Sequence, residues 1–208
     1  MLAIAGGKGG CGKTTVALGV GQALGTTTGR SLVVDTDRDM PNLHRRAGVD
    51  PTFGITDITA TADPATVAQG ATTVENVDVL TCQAASEAAV GNAIDRLSRC
   101  ARPVVLDCPA GAGPDAARPL RAADRTVLVS EPTQQSLTDT AKTAAMARAL
   151  DAPPALTVLV GSDGSVDPSD LLSSLRTVHI PSVSKPLESD RAAAKYVEIA
   201  NVLTKRNT

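Results

Sequence analysis

The chain has 208 residues, of which 42% are hydrophobic and 20% charged, with 20 Lys and Arg set against 22 Asp and Glu for a formal net charge of −2. That length suits one well-buried domain spanning 1–208 and is short for two, and the near-neutral balance excludes a global basic field that would draw the chain to nucleic acid or anionic lipid. One Phe, one Tyr and no Trp argue against binding single-stranded nucleic acid by base stacking and leave the core to Val, Leu, Ile and Ala, as in a parallel sheet covered by helices.

Short apolar runs alternate with helical stretches, the pattern of an α/β fold with a mostly parallel, twisted sheet of about seven strands and helices on both faces. A strand is predicted over 2–5, a helix over 14–24 and a strand over 31–35. The stretch 47–73 is vaguer, with two short helices expected around Asp57 and Val67. The order then runs strand 77–80, helix 86–100, strand 103–107, helix 115–122, strand 125–130 and helix 136–150. It closes with strand 155–160, helix 168–175, strand 177–180 and helix 189–204. The Ala/Pro/Gly-rich piece 109–119 reads as a loop over the sheet edge. No internal repeat or linker divides the chain, and no apolar run approaches the roughly 20 residues needed to span a bilayer.

The first strand leads directly into Gly6-Gly-Lys-Gly-Gly-Cys-Gly-Lys-Thr-Thr15. The run fits G-x-x-x-x-G-K-[ST], with Gly7, Gly12, Lys13 and Thr14 at the fixed positions. Glycines let successive backbone N–H groups turn inward toward phosphate oxygens, and a helix starting near Lys13 adds the positive end of its dipole. Residues Gly7, Lys8, Gly9, Gly10, Cys11, Gly12, Lys13, Thr14 and Thr15 are therefore placed around a nucleoside triphosphate, with Lys13 on the β/γ-phosphates and the Thr14 hydroxyl on Mg²⁺. An ordinary phosphate loop does not require Lys8.

Two predicted strands end in acids, and ligands of open α/β sheets sit beyond such ends. The first reads Leu32-Val-Val-Asp35-Thr-Asp37-Arg-Asp39-Met-Pro-Asn42, the second Val104-Val-Leu-Asp107-Cys-Pro-Ala-Gly111. Asp107 closes a buried apolar run, where an unpaired carboxylate is costly; the water shell of Mg²⁺ would supply its countercharge. An Asp capping a helix N-terminus is the rival reading.

With Lys8 in place, the loop resembles the deviant Walker A loop, K-G-G-x-G-K-[ST], of the MinD/ParA family of ATPases. The resemblance is good over residues 1 to about 150 and looser beyond. It implies an ATP- and Mg²⁺-dependent homodimer, in which Lys8 reaches the partner's nucleotide as an arginine finger would. By the same resemblance Asp37 orients the attacking water and Asp35 supports the magnesium shell. Asn42 matches a downstream asparagine, and D-x-P-A-G corresponds to a second switch in which the Gly111 N–H meets the γ-phosphate. Asp39 reads as a solvated loop acid. The implied function is a slow ATPase that positions a cellular structure, such as a division site, a polar complex or DNA, with an unidentified protein partner or activator.

The resemblance thins toward the C-terminus. Where the family has an adenine-reading asparagine, this chain has Gly161-Ser162-Asp163-Gly164. Asp163 can accept from the adenine amino group or from guanine N1/N2, and the family favours ATP. Pro181 falls in a run similar to the family's I-P loop beside the base, with His179 read as a strand residue and His44 as a surface one. Ala193, Tyr196, Val197, Ala200 and Leu203 fall at helical spacing and read as a core-facing stripe. The five residues after Leu203 leave no room for a separate interfacial helix, so autonomous membrane binding is not expected. Arg118, Arg121 and Arg125, with Lys205 and Arg206, offer weak DNA attraction, and a solvated face explains them equally well.

Cys11, Cys82, Cys100 and Cys108 contain no C-x-x-C pair, so zinc or iron–sulfur ligation within the chain is not expected. Without a signal peptide, a cytoplasmic, reducing compartment is expected and the cysteines read as small apolar fillers. The alternative function is an ATP-driven metal-cofactor carrier or a metabolic ligase on the same scaffold. Carriers usually have the paired cysteines missing here, and ligases such as dethiobiotin synthetase usually lack a lysine at position 8.

Overall fold

The computed structural model of the chain describes residues 1–58, 63–172 and 175–204. All seven predicted strands form: β1 (Leu2–Gly6), β2 (Ser31–Asp35), β4 (Val77–Leu80), β5 (Val104–Ala110), β6 (Arg125–Ser130), β7 (Pro154–Val160) and β8 (Thr177–Ile180). An eighth, β3 (Gln69–Gly70), was not anticipated. The sheet order is β3-β4-β2-β5-β1-β6-β7-β8, with β3 antiparallel to β4 and the remaining pairings parallel.

Every residue of β1 and β2 is buried, as a strand covered on both faces must be. Leu2, Ile4 and Val33 point into one layer, filled by α1 (Lys13–Thr28), α2 (Leu43–Ala47) and α8 (Asp190–Thr204). Ala3, Ala5, Leu32 and Val34 point into the other, beneath α4 (Glu87–Leu97) and α5 (Pro114–Ala122). On the same side α6 (Gln134–Ala149) and α7 (Ser169–Leu172) cover Leu128 and Leu159. Each fully buried leucine or isoleucine in these layers is worth roughly 1.5–3 kcal/mol, so the strand ends that hold the site rest on a firm base.

Three expectations are corrected. The stretch 47–73 does hold a 3₁₀ turn at Ile55–Asp57 and the short α3 (Pro64–Val67), but also the edge strand β3. Two residues are too few for any periodicity; β3 is held by Gln69 Nε2 donating to the carbonyls of Asp50 at 2.8 Å and Phe53 at 2.9 Å. The piece 109–119 is not a loop over an edge, because β5 runs to Ala110 between β1 and β2, and α5 starts at Pro114. The stripe of α8 is Ala192, Tyr196, Ile199 and Ala200, while Ala193 and Val197 face solvent. The helix is turned by about one position from the predicted face, following the i, i+4, i+7, i+8 spacing from Ala192.

Insertion of β5 between β1 and β2 positions the site. The β1–α1–β2 connection passes over β5, and the carboxyl ends of the three strands come to lie side by side. Asp35 and Asp107 are direct register partners there. Such a switch point leaves a crevice for a ligand.

Candidate functional site

The loop from Gly6 to Thr14 wraps over the end of β1 into α1. Gly10 and Gly12 have φ of 80° and 98°, in the left-handed region that a side chain resists, and Gly12 caps α1. Gly7 is required for a different reason: a Cβ there would lie 2.1 Å from the Asp139 carbonyl carbon on α6. By contrast, a Cβ on Gly9 or Gly10 would meet nothing within 4 Å. The outer wall of the loop is thus open for a ligand to approach its backbone. The Cys11 side chain is turned inward, its Sγ donating to the Val129 carbonyl at 3.5 Å, so that only its backbone remains to serve the loop.

The two loop lysines point in opposite directions. Lys13 is buried and its Nζ donates to the Lys8 carbonyl at 3.1 Å, closing the loop on itself. Lys8 is half exposed and its Nζ pairs with Glu131 at 3.0 Å, outside the phosphate cleft. That cleft, about 190 Å³, is lined by Gly9, Gly10, Gly12, Lys13, Thr14 and Thr15 on one side. Asp35, Asp37, Met40, Asn42, Arg46 and Asp107 close the other.

Asp35 and Asp107 are 1% and 3% exposed. Asp35 accepts from the N–H of Asp37 at 3.0 Å and of Leu43 at 3.3 Å, which fixes both ends of the loop between β2 and α2. Burial nevertheless pushes its carboxyl above the usual range, against the hydrogen bonds that favour its charge. Asp107 is pushed up by burial first and by the neighbouring Asp35 second, and held down by the Thr14 hydroxyl and Lys13. Two such carboxylates cannot both ionise cheaply without a cation between them. With the Thr14 hydroxyl they make an oxygen donor set suited to Mg²⁺, which takes one or two carboxylates and completes its shell from phosphates and water. Among the described residues no group of three or more His, Cys, Asp and Glu could hold a metal alone. The open loop, the buried lysine and this donor set fit a magnesium nucleotide.

Asp37 and Gly111 are both engaged within the chain. Asp37 lines the cleft and its Oδ1 accepts from the Met40 N–H at 3.1 Å. Gly111 has φ of 88°, but its N–H donates to the Gly6 carbonyl at 3.0 Å. That N–H is therefore free for another acceptor only after the bond breaks. Arg38 pairs with Asp115 at 3.2 Å, tying the loop after β2 to the start of α5, a link the sequence reading missed.

A second cleft, about 270 Å³, continues from Gly12, Thr15 and Val16 to Gly161, Pro181 and Tyr196. Pro181 lines both this cleft and the wider one beside it. Asp163 is not on this cleft: it lines a wider one of about 950 Å³ on the far side of Gly161 and Pro181, with His179, Arg191 and Lys195. Its Oδ1 already accepts from the Ser165 N–H at 3.0 Å and hydroxyl at 2.6 Å, because an Asx turn uses the carboxylate locally. His179 is more than a strand residue, since its Nδ1 lies 2.9 Å from Ser162 Oγ at the mouth of this cleft. His44 is half-buried rather than exposed, and burial lowers its pKa. Of the cations offered for DNA, Arg118 pairs with Glu87 at 3.3 Å and Arg125 lines a cavity at the opposite end of the sheet. Lys205 and Arg206 lie outside the described residues.

A glycine-rich loop facing two buried strand-end acids across a parallel sheet defines a P-loop nucleoside-triphosphate-binding protein. The CobQ/CobB/MinD/ParA nucleotide binding domain model matches residues 2–203, and the chain belongs to that family. Among solved structures it is similar to the cell division ATPase MinD of Pyrococcus furiosus, 28% identical over 97% of both chains with a TM-score of 0.78. The septum site-determining protein MinD of Pyrococcus horikoshii OT3, complexed with Mg-ADP, is 25% identical over 98% of this chain and 95% of that one, with a TM-score of 0.76. Cobyrinic acid a,c-diamide synthase of Mycobacterium smegmatis, with an ATP analog and magnesium, supports the fold alone at 22% identity, 97% and 92% coverage and a TM-score of 0.76. Comparison with curated protein sequences finds no match. Among the described residues no helix is long and apolar enough to cross a membrane.

Proposed function

We propose that the protein is an ATP-dependent dimerising switch of the MinD/ParA type, which hydrolyses ATP slowly and helps to position a cellular structure. The observation that carries this reading is the opposed orientation of the loop lysines. Lys13 serves its own loop, whereas Lys8 lies outside its own cleft, available to a second copy. Its pairing with half-exposed Glu131 is worth only about 0–1 kcal/mol, so a partner's triphosphate readily replaces it.

In this reading Lys13 and the loop N–H groups bind the β- and γ-phosphates. Thr14, Asp35 and Asp107 would hold Mg²⁺, which would supply countercharge to the phosphates. Asp37, freed from the Met40 N–H, orients a water and accepts its proton; such a group is worth about 10²–10⁴-fold in rate. Breaking the Gly111–Gly6 bond lets the second switch meet the γ-phosphate, so that ATP favours the dimer over ADP through differential contacts. Thr15 and Pro181 flank the path to the base.

The solution mass of an Asp37→Ala variant tests this. A monomer that doubles with ATP–Mg²⁺ but not with ADP–Mg²⁺ or GTP–Mg²⁺ is the expected result. No change with any triphosphate would sink the trans role of Lys8. The wide cleft beside Asp163, His179, Arg191 and Lys195 favours a second reading, a ligase with room for another substrate. A chain that stays monomeric yet turns over ATP only with a co-substrate would support that alternative.

A further inference from the structure

The phosphate cleft and the base cleft share three residues, Gly12, Thr15 and Arg46. Two belong to the loop and the start of α1. The third, on α2, is the one charged residue common to both walls. A nucleotide laid from one cleft to the other must pass between them at its α-phosphate and ribose, with Arg46 facing the loop across the gap.

Arg46 is built to be there. Asp35 Oδ2 accepts from Leu43 N–H at 3.3 Å, fixing the start of α2. The Thr73 hydroxyl donates to the Arg46 carbonyl at 2.7 Å, and the Thr72 N–H to the Ala47 carbonyl at 2.8 Å, fixing its end. The backbone is thereby held on both sides while the guanidinium stays exposed. Among the described residues no ion pair engages that guanidinium, a property it shares with Arg45, Arg121 and Arg191; what sets Arg46 apart is that it lines both clefts. A planar, always charged donor without a counterion, set between two walls of a phosphate site, matches a phosphate oxygen pair.

We propose that Arg46 is a nucleotide-binding residue, placing its guanidinium on the α-phosphate side of a bound nucleoside di- or triphosphate. The inference rests on reading the cleft as a nucleotide site. Because the α-phosphate is common to ATP and ADP, Arg46 binds both equally and does not sense the γ-phosphate. Uniform binding of this kind changes KM and leaves kcat alone.

Equilibrium titration of the full chain with ATP–Mg²⁺ and ADP–Mg²⁺ tests this, in the wild type and in Arg46→Ala, Arg46→Gln and Lys13→Ala. Arg46→Ala and Arg46→Gln are expected to weaken ATP and ADP by the same factor, about tenfold, and to flatten the salt dependence. Melting temperatures without nucleotide should match the wild type, since the side chain is exposed. Unchanged affinity for both nucleotides overturns the proposal, and so does a loss confined to ATP, which would place Arg46 at the γ-phosphate. If the wild type itself binds neither nucleotide, and Lys13→Ala behaves identically, the nucleotide reading fails and takes the proposal with it.

Discussion

In the proposed reading the crevice has a phosphate end and a base end, and the two are built differently. At the phosphate end Asp35 closes β2 and Asp107 lies within β5, the two in register and almost fully buried. Lys13 is folded onto its own loop, and Gly7 is pressed against the backbone of α6. At the base end, exposed loops follow β7 and β8, with Gly161 and Gly164 at φ of 73° and 95° and Asp163 spent on its own turn. The contrast follows from what each end must recognise. Phosphates and magnesium are the same in every nucleotide, and charges buried against a sheet hold them in one geometry. A base is recognised by edges that loops can reshape without disturbing the core.

That contrast predicts large effects at one end and small ones at the other. Lys13→Ala should lower ATP affinity by more than about 100-fold in equilibrium titration, since a charged donor to the phosphates is lost. A loss below tenfold would mean that the loop backbone alone recognises the phosphates. Lys8→Ala should bind ATP within about threefold of the wild type yet fail to dimerise in light scattering. Equal dimerisation would remove the distinction between the two lysines. Gly7→Ala should destabilise the chain by about 2–4 kcal/mol in urea melts, because the added methyl meets backbone. Gly9→Ala, with open space around it, should stay within about 1 kcal/mol.

The buried acids add a pH signature without nucleotide. Both Asp35 and Asp107 have folded pKa values raised above the ordinary carboxylate range. Each therefore contributes stability fully present below about pH 4, the unfolded value, and lost as pH rises through the folded one. Above about pH 5, where the acids held below the carboxylate range such as Asp78 and Glu198 are already ionised, the melting temperature should fall by several degrees toward neutral pH, and Asp107→Asn should flatten the decline. Magnesium nucleotide should restore the neutral-pH value by binding the ionised pair. A melting temperature that rises over the same interval would show that the pair is already neutralised by other groups.

Much of the phosphate end was legible in the sequence, because its rules are local. Gly12, Lys13 and Thr14 stand at fixed spacing, and Asp35 and Asp107 each close an apolar run that only a strand explains. What was missed depends on contacts far apart in the chain. Glu131 meets Lys8 across 123 positions, and Asp115 meets Arg38 across 77. No periodicity signals either pair. Arg46 stands in no motif, because its place arises only where two clefts meet. Asp163 misled in the opposite sense: it stood where the family keeps its base-reading residue, but the Ser two positions later turns its carboxylate back onto the loop.

The smallest predicted effect follows from that turn. Asp163→Ala should change the affinities for ATP and GTP by less than about threefold and by the same factor, since its Oδ1 is committed to Ser165 and it faces the wider cleft. An exposed carboxylate with a local partner offers little net energy to an outside donor, because the new hydrogen bond replaces an existing one. Discrimination then falls to the backbone and side chains at Gly161, Pro181 and Ser182, which face the cleft shared with Thr15. If Asp163→Ala instead erased a preference for one base, the loop must rearrange on binding and free the carboxylate. A Ser165→Ala variant, whose Asp163 lacks the hydroxyl partner, would then bind that base more tightly than the wild type, and the base end would be as specific as the phosphate end, but assembled only around its ligand.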